Sequence, residues 1–125
     1  MRGMEPIRSH RDLVVWQKAM DLTVAVYELA RRFPRTEQYG LISQMTRAAA
    51  SIPANIAEGN GRRGSRREYS HFLGIARGSL MERETYLALA LRLGFASDEE
   101  ASRVLALADE VSRMITTMRN RLEAE

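Results

Sequence analysis

The sequence predicts an all-α protein, an antiparallel up-down-up-down four-helix bundle, and three observations carry that expectation. Apolar residues recur at spacings of three and four along four segments, no apolar-polar alternation lasts more than a few residues, and Ser, Pro or Gly marks the three short breaks between segments. At 125 residues the chain forms one domain, 1–125, able to bury a core without disulfides or metals.

The first helix is placed at about 10–32, where Ser9 and Asp12 have capping-box spacing and Phe33-Pro34 ends the pattern. It carries two apolar stripes, Leu13, Trp16, Met20, Tyr27 and Ala30 on one side and Val15, Leu22, Val26, Leu29 and Phe33 on the other, more than one core needs. The second helix, about 37–58, turns Leu41, Ile42, Met45, Ala49, Ile52 and Ile56 inward, with Gly59 as its expected terminator. Pro53 is expected to kink it, since an interior proline removes one helical hydrogen bond.

Ser65 and Glu68 suggest a second capping box, opening a third helix at about 66–93 that closes at Gly94. Its core face is assigned to Tyr69, Phe72, Leu73, Ala76, Leu80, Leu87 and Leu91. Gly74 and Gly78 stand four apart beside that face, and each interior glycine costs about 1 kcal/mol relative to alanine, so close approach of another helix is expected there. The alanine-rich second helix, with Ala48, Ala50, Ala54 and Ala57, is slim enough to be that neighbour. Ser97 and Glu100 open the fourth helix, about 98–122, with Val104, Ala108, Val111, Ile115, Met118 and Leu122 as a single stripe. Residues 1–8 and the last few are expected to fray.

Composition narrows the function. The chain has no cysteine, which excludes thiol catalysis, cysteine-based zinc sites and disulfide frameworks. No apolar run approaches the roughly 18 residues of a membrane span, so a soluble, cytoplasmic protein with no membrane contact is expected. The net charge is +3 but unevenly placed: residues 1–95 hold 15 Lys and Arg against 9 Asp and Glu, whereas 96–125 hold 4 against 7. Glu68-Tyr69-Ser70-His71 matches half of a di-iron bundle motif, but His10, the other histidine, has Ile7 where a second glutamate would stand. No metal or other cofactor is therefore expected. Nothing resembles a phosphate-binding loop or a catalytic triad, and the chain is expected not to be an enzyme.

Gln44, Arg47, Ser51, Asn55 and Glu58 form one continuous polar face on the second helix, and one further turn along it stands Arg62. That face is either a solvated surface or, in part, a hydrogen-bonded seam against a neighbouring subunit. Arg62, Arg63, Arg66 and Arg67 straddle the start of the third helix, where unpaired N–H groups and the positive dipole end already attract anions. With Arg47 they make a candidate phosphate clamp, non-specific in character because no base-reading helix is apparent. The alternative is a scaffold that receives an acidic protein through the polar face and the same arginines.

Several segments are familiar together: Leu13-Val14-Val15-Trp16-Gln17-Lys18-Ala19, Phe33-Pro34 with Glu37-Gln38-Tyr39-Gly40-Leu41, Ser51-Ile52-Pro53-Ala54-Asn55-Ile56-Ala57-Glu58-Gly59, and Phe72-Leu73-Gly74-Ile75-Ala76-Arg77-Gly78-Ser79. Over residues 11–95 the chain resembles the four-helix-bundle family encoded by intervening sequences in bacterial 23S ribosomal RNA genes, also labelled S23 ribosomal proteins. The resemblance implies a left-turning antiparallel bundle assembled as a ring-like homopentamer, without known catalytic activity. A similar pentameric barrel occurs in accessory proteins of diversity-generating retroelements, which implies by analogy RNA or DNA, or a nucleic-acid-processing protein, as partner. Trp16, Gly74 and Gly78 are the residues expected at helix-packing or subunit contacts.

Overall fold

The computed structural model describes residues 8–124. Among them four long helices, α1 (Val14–Ala30), α2 (Ser43–Gly61), α3 (Arg66–Arg92) and α4 (Asp98–Glu123), pack side by side, and no strand is present. Each helix touches two others, α1 with α2 and α4, α3 with α2 and α4, so the core lies along a closed square of contacts.

The predicted capping box at Ser9 and Asp12 is present but closes a single 3-10 turn, His10–Asp12. Leu13 is extended, with φ −79° and ψ 125°, so α1 begins four residues later than expected, at Val14. The last turn tightens as Arg31, Arg32 and Phe33 donate to the carbonyls of Glu28, Leu29 and Ala30, and Pro34 prevents continuation. The second segment is also irregular at its start: a 3-10 turn, Arg35–Glu37, runs into a π turn, Gln38–Ile42, in which Gly40 departs from helical geometry. Regular helix begins only at Ser43.

Helix α2 runs uninterrupted through Pro53. Proline has no N–H, so the carbonyl of Ala49, one turn earlier, loses its helical donor. The hydroxyl of Thr23 on α1 lies 3.1 Å from it and 2.8 Å from the Ala19 carbonyl of its own helix, so its single proton is shared between the two. A seam between two helices thus supplies part of what the proline removed.

Gly59 does not end α2, which reaches Gly61. Its value lies in packing: a Cβ there would stand 3.1 Å from both Phe72 Cβ and Tyr69 Cδ1, so glycine lets α3 approach. The two glycines expected to face α2 do not. Gly74 opens toward α4, where an added Cβ would meet the Arg119 guanidinium at 3.2 Å, and Gly78 faces open space. Helix α3 closes as the sequence suggests, with Gly94 at φ 78° and the Phe95 and Gly94 N–H groups donating to the carbonyls of Ala90 and Leu91.

The fully enclosed large side chains are Leu22 and Val26 of α1, Met45, Ile52 and Ile56 of α2, Leu73 and Leu87 of α3, and Val111 and Ile115 of α4. Burying each such side chain stabilises the fold by roughly 1.5–3 kcal/mol before the entropy of ordering it is counted. Of the two stripes on α1, the one containing Leu22 and Val26 forms the core, whereas Met20, Val24 and Tyr27 remain exposed on the outer side. No helix among the described residues is long and apolar enough to cross a membrane.

Candidate nucleic-acid interface

The polar face of α2 divides into two parts. Ser51 and Asn55 are half-buried against α3: Asn55 Nδ2 donates to Ser51 Oγ and to the Ser51 carbonyl, each at 2.9 Å, and Ser79 Oγ of α3 lies 2.9 Å from Ser51 Oγ. This part is an internal hydrogen-bonded seam between α2 and α3. Gln44 and Arg47, nearer the start of the helix, are exposed.

The seam continues into the arginine-rich turn. Arg62 Nε is 3.2 Å from Glu58, its Nη1 is 3.2 Å from Glu68, and its guanidinium carbon lies 5.0 Å from the Phe72 ring centroid. Glu58 sits in the last turn of α2, where the helix dipole disfavours an anion, and Arg62 compensates it. Glu68 does not reach back to complete the expected capping box; Ser65 Oγ accepts the Glu68 N–H at 3.2 Å, but the Glu68 carboxylate turns to Arg62. One side chain thereby binds the end of α2 to the start of α3.

Beside it, Arg63 Nη1 donates to the carbonyl of the buried Asn60 at 2.9 Å and stays largely exposed. Tyr69 lies beneath, its hydroxyl 3.5 Å from Asn60 Oδ1; burial pushes the Tyr69 phenol up, with the nearby Arg63 charge opposing. Arg66 and Arg67 are exposed on the first turn of α3. Among the described residues Arg62 pairs with both Glu58 and Glu68, while Arg63 and Arg67 stand exposed at the positive end of a 27-residue helix. Arg47 is exposed on α2, about four helical turns before this cluster.

The residues singled out for metal chemistry are used otherwise. Glu68 pairs with Arg62, and His71 is exposed with its ring edge against Phe72 at 5.2 Å. Among the described residues no group of three potential ligands could hold a metal ion. Trp16 is half-buried on the core with His10 packed edge-on at 5.1 Å.

Three contributors were not anticipated from the sequence: Phe72 as the platform for Arg62, Ser79 as the partner of Ser51, and a buried Arg83. The last was legible, because Leu73, Ala76, Leu80, Arg83, Leu87 and Ala90 follow at spacings of 3, 4, 3, 4 and 3, which sets an arginine in a core position.

The fold and this turn define a small helical-bundle protein with a basic, internally braced helix junction. The 23S rRNA-intervening sequence protein family matches residues 11–117, and the chain belongs to that family. A crystal structure of a protein of unknown function from the S23 ribosomal protein family of Bacteroides thetaiotaomicron VPI-5482 shares the fold. It superposes with a TM-score of 0.76 at 23% identity, over 85% of this chain and 98% of the other. No curated protein matches the sequence.

Proposed function

We propose that the chain is a non-enzymatic bundle of antiparallel up-down-up-down topology that assembles with copies of itself, as a pentamer, and associates with RNA or DNA through phosphate contacts. The antiparallel reading is supported by pairs joining opposite ends of neighbouring helices: Arg32 with Glu100 at 2.8 Å for α1 and α4, and Ser70 with Glu123 at 2.6 Å for α3 and α4. Self-association is supported by the exposed stripe Met20, Val24 and Tyr27, which has apolar area to cover.

One observation carries the nucleic-acid reading: Arg62 takes up both carboxylates of the turn while Arg63 and Arg67 stay exposed at the start of α3. The phosphate clamp is then Arg63, Arg66 and Arg67, with Arg47 assisting, and Arg62 holds the turn rigid. Repeating the turn around a ring converts a weak contact into a multivalent one. Binding of this kind falls steeply with salt because it releases counterions.

The test is fluorescence anisotropy with a structured RNA and a duplex DNA at low and moderate salt, on wild type and on an Arg63→Ala, Arg66→Ala, Arg67→Ala variant. Binding that weakens with salt and is lost in the variant supports the reading, and negligible binding by both proteins overturns it. Sedimentation at micromolar concentration is expected to give a species several times the chain mass, and a single chain overturns the assembly. A second reading, an acidic protein partner, is favoured by the fact that this turn already holds two carboxylates on Arg62. Negligible nucleic-acid binding by an assembled protein would favour it.

A further inference from the structure

Arg83 stands in the core register of α3 between Leu80 and Leu87 and is only 3% exposed. Its Nε and Nη1 are enclosed and have no hydrogen-bond partner. Burial pulls the guanidinium below the ordinary arginine value, and Glu84 opposes that shift without bonding either nitrogen. Arginine nonetheless stays protonated in proteins, so a cation is held in the wall of the bundle with its donors unused. Leaving a buried charge unpaired is among the costlier arrangements a fold can keep.

Arg83 is among the residues lining a cavity of about 360 Å³ between α3 and α4, with its Nε and Nη1 set back in the wall. Leu80, Met81, Leu105 and Ala108 give it apolar sides, and Met81 and Leu105 are 59% and 42% exposed. Arg77, Glu84 and Asp109 also line it, Asp109 being paired with Arg113 at 3.1 Å. We propose that this cavity binds a small organic monoanion, a carboxylate on a short apolar stem, with the carboxylate on Arg83 and the stem between Leu80, Met81, Leu105 and Ala108. An arginine cation suits a carboxylate, and the apolar sides match the stem. A dianion such as phosphate has no stem for the apolar sides to cover. The site is separate from the arginine-rich turn, so the two proposals stand or fall independently.

The experiment is thermal denaturation of the full chain with acetate, butyrate and benzoate at matched ionic strength, and inorganic phosphate as the dianion. The Tm is expected to rise with carboxylate concentration, more for butyrate and benzoate than for acetate or phosphate, and not to rise in Arg83→Met. Without ligand, Arg83→Met is expected to be at least as stable as wild type, since an apolar side chain replaces an unpaired buried cation. In parallel, the Arg83 Nε–H resonance of the wild type is followed by NMR in the same titrations, which decides the matter even if Arg83→Met fails to fold. A butyrate-dependent shift of that resonance, together with a butyrate affinity read from the Tm rise that falls roughly tenfold or more in Arg83→Lys, supports the site. A resonance unmoved by every probe, or equal Tm shifts in wild type and Arg83→Met, overturns it. So does a resonance that moves on dilution of the protein alone, which would assign the cavity to a carboxylate of a second copy.

Discussion

The hydroxyl of Thr23 lies 3.1 Å from the carbonyl of Ala49, the acceptor that Pro53 leaves without its helical donor. Ala49 is fully buried, so water offers no substitute. Thr23→Val keeps the shape and removes the donor, and is expected to destabilise the fold by about 1–2 kcal/mol. Pro53→Ala returns an N–H to the Ala49 carbonyl. In that background the same Thr23→Val change is expected to cost about 1 kcal/mol less, as read from a double-mutant cycle of urea denaturation. Additive effects would show that the two residues do not share the carbonyl.

Two glycines make opposite predictions. A Cβ at Gly59 would press on Phe72 Cβ and, at 3.3 Å, on the Tyr69 backbone oxygen, neither of which is the free end of a flexible chain. Gly59→Ala is expected to destabilise by about 1–3 kcal/mol. At Gly78 the added methyl meets nothing, and Gly78→Ala is expected to stabilise the chain by about 0.5–1 kcal/mol through helix propensity. Chemical denaturation of each measures the sign. Loss of assembly in Gly78→Ala with the chain still folded would assign that glycine to a subunit contact.

These glycines also mark where the sequence was readable. The helical segments, the Gly94 closure and the Ser97 capping box follow from spacing and end signals, which are local in the chain. What Gly59 and Gly74 face is a matter of how helices rotate against one another, and no local signal reports it. Nor could spacing show that the hydrogen-bonding capacity lost at Pro53 is made good in part by Thr23, 26 residues away. At the candidate site the basic cluster was visible as composition, but the partition of its arginines was not. Arg62 is distinguished from Arg67 only by Phe72 and the two carboxylates around it.

Glu100 gives a pH dependence with a definite sign. The Ser97 backbone N–H is the main cause holding its carboxyl below the ordinary glutamate value; loss of hydration opposes it, and the Arg32 charge adds to the lowering. A carboxyl depressed in the folded state stabilises above its unfolded value, near about 4.3, and that contribution is lost as pH falls through the lower folded value. Between neutral pH and pH of about 3, the Tm of Glu100→Gln is therefore expected to fall less than that of the wild type. The difference should shrink at high salt, since the Arg32 contact is exposed. Parallel Tm curves would remove Glu100 from the acid response.

The role assigned to Arg62 separates bracing from binding. Its two ion pairs are half-exposed, worth at most about 1 kcal/mol each, and the contact with Phe72 adds about 0.5–1 kcal/mol. Arg62→Ala is expected to destabilise the chain by about 1–2 kcal/mol, whereas Arg67→Ala leaves stability unchanged within about 0.5 kcal/mol. For nucleic acid the order reverses: Arg67→Ala should reduce both affinity and the slope of affinity against salt, because one phosphate contact is gone. Arg62→Ala should leave that slope unchanged under conditions where the variant is folded. Denaturation and salt titration of the two variants together decide it. A loss of slope in Arg62→Ala equal to that in Arg67→Ala would make Arg62 a phosphate contact despite its carboxylate partners.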